Sequence, residues 1–87
     1  MITETLTIMA PDGLHARPAG ELVRTVKSFA GTTVTLATSA RKVNAASMLS
    51  ILSLGLKKGT EVEIRAEGGD EAGAVNAIVN LIQSVTE

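Results

Sequence analysis

Cysteine is absent from the sequence, which excludes a disulfide scaffold, thiolate zinc sites and cysteine catalysis. His15 is the only histidine, so the chain has too few ligands to build a transition-metal site. No metal and no cofactor is expected. Tryptophan and tyrosine are missing, and Phe29 is the only aromatic residue. Nucleic-acid binders rely on a basic excess and on exposed aromatic platforms. Here the formal net charge is −1 with both signs mixed along the chain, so a small α+β RNA-binding module is a poor fit and nucleic acid is not an expected partner. The longest apolar run, over residues 48–56, is broken by serines and by Gly55 and is too short to span a bilayer. Residues 1–11 alternate in polarity and lack the basic-then-apolar order of a signal peptide. These absences lead to the expectation of a cytoplasmic protein without membrane insertion.

What is present is a foldable core. Forty-five per cent of the 87 residues are hydrophobic, enough for one packed domain near the lower size limit for independent folding. Ile2, Leu6 and Ile8 alternate with threonines, as in a half-buried strand, while Glu4 falls on the apolar phase and marks an edge. Pro11, Asp12 and Gly13 supply turn chemistry. Helical spacing of Ala19, Leu22, Val23 and Val26 predicts a first helix over 16–29, stopped by Gly31. Pro18 fits its first turn because an amide there has no intrahelical acceptor. Residues 32–38 and 41–44 predict two further strands around a short turn.

Ser47 is a good N-cap for a short helix through Leu54, with Gly55 as its C-terminal glycine. Strict alternation over 61–66 gives a fourth strand. Asp70 predicts the N-cap of a last helix with Ala72, Val75, Ile78, Val79, Ile82 and Val85 on its buried stripe, ending near Thr86. The order β-α-β-β-α-β-α, with one apolar face per strand, favours an antiparallel sheet covered by helices on one side. Glu61, Glu63, Asp70 and Glu71 show no paired acid–base spacing and are read as surface charge. Gly68 and Gly69 form a turn without a Walker-type pattern.

The one stretch that carries chemistry is PDGLHARPA at 11–19. A helix mouth presents backbone N–H groups and about half a positive charge, which suits a phosphate. His15 stands there as a cap or just before it. Imidazole is mostly neutral near pH 7, and its lone pair can attack phosphorus. Arg17 sits where the helix dipole disfavours a cation; its guanidinium can fork onto phosphoryl oxygens. A bland alternative remains at each position, a capping imidazole and a solvated first-turn cation.

GLHARPA at 13–19, VNAASMLSILSLGL at 43–56 and KGTEVEIRAEG at 58–68 resemble the histidine-containing phosphocarrier (HPr) family of the bacterial phosphoenolpyruvate-dependent sugar phosphotransferase system. The resemblance covers essentially the whole chain and implies one HPr domain over 1–87. It implies an α+β open-faced β-sandwich, a four-stranded antiparallel sheet in the order 1-4-2-3 with three helices on one face. It also implies a carrier, not an enzyme, that takes a phosphoryl group on Nδ1 of His15 from phosphorylated enzyme I and passes it to sugar-specific enzyme IIA domains. By the same resemblance Arg17 attends the phosphoryl group. Ser47 aligns with a serine that an HPr kinase/phosphorylase modifies in part of the family, although Ala46 and Ser50 stand where such members often have Lys and Gly. That serine supports the alternative of an HPr-like regulatory protein, while the presence of His15 argues against a purely regulatory one. Met48, Ile51 and Leu54 are expected to seat the second helix. Leu49 and Leu52, with Met48, then form an apolar docking patch rimmed by Arg24 and Lys27 for acidic partners. The protein is expected to be a monomer, and its ends to be those of a free-standing chain.

Overall fold

In a computed structural model of the chain, residues 1–85 are described. The strands are β1 (Ile2–Thr7), β2 (Thr33–Ala37), β3 (Lys42–Asn44) and β4 (Glu61–Glu67). They form one sheet in the order β1-β4-β2-β3, antiparallel throughout. The helices are α1 (Ala16–Ser28), α2 (Met48–Ser53) and α3 (Glu71–Ser84). Alternation sets the register. Leu6 lies opposite Val62, Leu36 opposite Ile64, and Leu36 also opposite Val43, so all three pairs fall on one face. A one-residue slip would expose every one of them. All three helices lie over that apolar face, and Ile8, Leu14, Leu22, Val34, Ile51 and Ile78 join its core cluster. Each such fully buried Leu or Ile contributes about 1.5–3 kcal/mol of transfer free energy.

The other face carries threonines and charges in the alternate positions. On it Arg65 Nε donates to Glu63 Oε1. A hollow of about 270 Å³ on this face is lined by Thr5, Thr38, Glu61, Glu63 and Arg65, among others. β1 is an edge strand, as Glu4 on its apolar phase foretold, and Glu4 is exposed.

Two details of α3 differ from the pattern reading. Its buried stripe is Ala74, Val75, Ile78 and Ile82, and Ala72 is exposed. At about 100° per residue, a stripe centred on those four leaves Ala72 roughly a quarter turn outside it. The helix ends at Ser84 with Val85 as C-cap; Thr86, the end expected from sequence, lies outside the described residues.

The start of α3 is tied down by carboxylates. Asp70 Oδ1 accepts from Gly73 N at 3.1 Å, and Glu71 Oε2 accepts from Gly68 N at 2.7 Å. Glu71 Oε1 also meets the Met1 ammonium at 3.3 Å. The Gly68 hydrogen bond, and after it the Met1 ammonium, hold the Glu71 carboxyl below its ordinary value. A depressed folded-state value means stabilisation that is present above the unfolded value and fades as pH falls through the folded one. Glu71→Gln keeps an acceptor for Gly68 but loses the charge. In chemical denaturation the stability gap between wild type and Glu71→Gln should be constant near neutrality and should close as pH drops below about 4.5.

Candidate functional site around the mouth of helix α1

His15 is the N-cap of α1. Its backbone is extended (φ −87°, ψ −168°) and its side chain makes no capping hydrogen bond. Of the two places open from sequence, the cap position and the residue before it, His15 occupies the cap. The first helical hydrogen bond runs from Ala19 N to His15 O at 3.0 Å. The amides of residues 16 and 17 precede that first helical bond, and Pro18, buried, has no N–H to contribute. The first turn itself carries no acidic residue. His15 is half-buried and Arg17 is exposed.

The loop before His15 is held from below. Leu14 N donates to Leu56 O at 2.8 Å, and Gly13 N donates to Ala10 O at 2.9 Å. Gly13 has φ +67°, and a Cβ there would lie 2.2 Å from Leu56 O. Sequence reading took Gly13 only as a turn residue. The close approach of Leu56 comes from a distant segment, and no local signal could reveal it.

After His15, α1 packs on α2. Its N-cap is Ser47, whose Oγ accepts from Ser50 N at 3.3 Å, as expected. Ile51 is fully buried and Leu54 half-buried, so these two seat the helix. Met48 does not sit in the core with them. It is 39% exposed, beside Leu49 at 82% and Leu52 at 36%. Its Sδ lies 3.9 Å from where a Cβ on Gly20 would stand, which places the apolar patch against α1 one turn beyond His15. A Cβ at Gly20 would make only ordinary van der Waals contact with that sulfur, so the approach does not depend on glycine there. Arg24 and Lys27, both exposed, lie on the Gly20 side of α1 by helical spacing. Lys27 also complements the dipole in the last turn.

Among the described residues no cluster of His, Asp or Glu could hold a metal ion, and no helix is long and apolar enough to cross a membrane. The site is a helix N-terminus bordered by an apolar patch and by Arg24 and Lys27.

The four-stranded antiparallel sheet in the order β1-β4-β2-β3 with its three helices is an open-faced α+β sandwich. The chain belongs to the HPr family of phosphocarrier proteins: the family model described as "PTS HPr component phosphorylation site" matches residues 2–84. It is 37% identical over 84 residues to the phosphocarrier protein HPr of Xylella fastidiosa, covering 97% of this chain and 93% of that protein. The crystal structure of an HPr from Thermoanaerobacter tengcongensis superposes with a TM-score of 0.90 at 42% identity, covering 97% and 93% of the two chains. Crh of Bacillus subtilis, described as a catabolite repression protein and solved as a domain-swapped dimer, is 32% identical with a TM-score of 0.76, covering 100% and 99%.

Proposed function

We propose that this protein is a cytoplasmic phosphocarrier of the sugar phosphotransferase system, one HPr domain over residues 1–87 acting as a monomer. The observation that carries the reading is the position of His15 at the N-terminus of a thirteen-residue helix. Nδ1 of the neutral imidazole attacks the phosphorus of phosphorylated enzyme I. The N–P bond to the donor histidine breaks as the new one forms, so the phosphoryl group moves between two nitrogens of similar leaving ability. The amides at the helix mouth and the Arg17 guanidinium meet the phosphoryl oxygens as charge redistributes. A second acceptor on an enzyme IIA domain then takes the group by the same chemistry. The chain has no second histidine, so half of each active site is the partner's. Met48, Leu49 and Leu52 supply the apolar contact, and Arg24 and Lys27 the basic rim for acidic partners.

The test is a two-step relay. Phosphoenolpyruvate and enzyme I should place one acid-labile, base-stable phosphoryl group on the protein, and adding an enzyme IIA domain should remove it.

The likeness to Crh keeps a second reading in view: an HPr-like regulator modified on Ser47 by an HPr kinase/phosphorylase. The position of Ser47 as the N-cap of α2 supports this reading, but Ala46 and Ser50 depart from the pattern the resemblance associates with that modification.

A further inference from the structure

The segments before and after His15 are both bordered by lysine or arginine and an exposed methionine, but only one border follows from the reading above. Residues 8–14 run antiparallel to residues 56–60. Ile8 N donates to Thr60 O at 2.8 Å, Gly59 N donates to Ile8 O at 2.7 Å, and Leu14 N donates to Leu56 O at 2.8 Å. At Gly13 the two backbones are so close that a Cβ would stand 2.7 Å from Lys57 Cα. Lys57 and Lys58 therefore lie directly beside the turn that leads into His15, and both are exposed. Met9, within the 8–14 segment of this pair, is 69% exposed. A methionine so placed offers a deformable apolar contact.

The charge distribution says what would fit this flank. Five of the eight lysines and arginines, Arg17, Arg24, Lys27, Lys57 and Lys58, lie around α1 and the loops that lead into it, although the chain as a whole is net negative. The acidic residues on those segments are Asp12 and Glu21, while Glu61, Glu63 and Glu67 lie along β4. The helix mouth thus faces a partner from a locally positive surface, which draws in carboxylates and repels a second basic face.

We propose that Met9, Lys57 and Lys58 form a second docking flank, continuous with the His15 loop, that receives the carboxylate-bearing rim of the protein exchanging a phosphoryl group with His15. The inference rests on the phosphocarrier reading and extends its interface across the loop before the histidine. Lys57 and Lys58 act in encounter and orientation and do not touch the reacting atoms.

Phosphoryl transfer from enzyme I, charged with phosphoenolpyruvate, should be timed for wild type, Lys57→Glu/Lys58→Glu and Lys57→Gln/Lys58→Gln at low and high salt. The charge-reversed protein should lose about tenfold in kcat/KM at low salt, mostly through KM, and the neutral variant less. The loss should shrink as salt screens the surface, and both variants should still reach one phosphoryl group per chain. Unchanged melting temperatures, expected for exposed lysines, assign the loss to docking. If wild type is labelled and the charge-reversed protein matches its rate and salt dependence, the flank is overturned and the carrier reading stands. A loss that persists undiminished at high salt also overturns it. If wild type takes no phosphoryl group, the carrier reading falls and this inference with it.

Discussion

His15→Ala is expected to abolish phosphoryl acceptance while leaving the fold in place. With no second histidine and no cysteine, no other side chain offers an equivalent neutral nitrogen or thiolate nucleophile, so the loss should be complete. The fold should survive because His15 lies outside the core cluster and its side chain does not cap α1. Incorporation of label from phosphoenolpyruvate through enzyme I reads the first effect, and circular dichroism with a thermal melt reads the second. Equal labelling of wild type and His15→Ala would remove His15 from its assigned role.

Gly13→Ala should be the most damaging small change near the site. A non-glycine residue at φ +67° carries about 1–2 kcal/mol of backbone strain. The added methyl cannot coexist with Leu56 O at 2.2 Å, so the loop must lift. Lifting it breaks the Leu14–Leu56 hydrogen bond, worth roughly 0.5–1.5 kcal/mol, and disturbs buried Leu14. The loss of stability is about 1.5–3.5 kcal/mol from these two effects, measured by urea unfolding, together with slower phosphoryl transfer because the loop aims His15. Gly55 is the control. It has φ +63° but nothing within 4 Å of an added Cβ, so Gly55→Ala should show the strain alone, about 1–2 kcal/mol. Equal losses at the two positions would mean that the contact with Leu56 does not hold the loop.

The contrast between Gly13 and Gly55 also marks where sequence reading stops. Most local patterns that map onto one element were legible. Alternation in β4 gave both its faces, Ser47 and Asp70 gave two helix starts, and the GLHARPA stretch led to the helix mouth. The resemblance to the HPr family supplied the strand order, which no local pattern contains. Contacts between distant segments were not legible. The approach of Leu56 to Gly13, the seat of Met48 beside Gly20, and the pairing of residues 56–60 with the His15 loop all depend on how elements stack in three dimensions. Met48 illustrates the reason. Its apolar side chain satisfies a core pattern and an exposed patch equally well, and only the position of α2 over α1 decides between them. Ala72 fails for a related reason, since a small residue beside Ala74 does not fix the phase of a helix.

The central claim is that His15 at the N-terminus of α1 is a phosphoryl acceptor, and the most direct measurement is the location of the phosphoryl group itself. The protein should be charged with phosphoenolpyruvate and enzyme I, kept at alkaline pH, and examined by peptide mapping and by nitrogen and phosphorus NMR. The expected result is a single acid-labile phosphoryl group bonded to Nδ1 of His15. An acid-stable phosphate on Ser47, or no phosphate on a folded protein, would contradict the account.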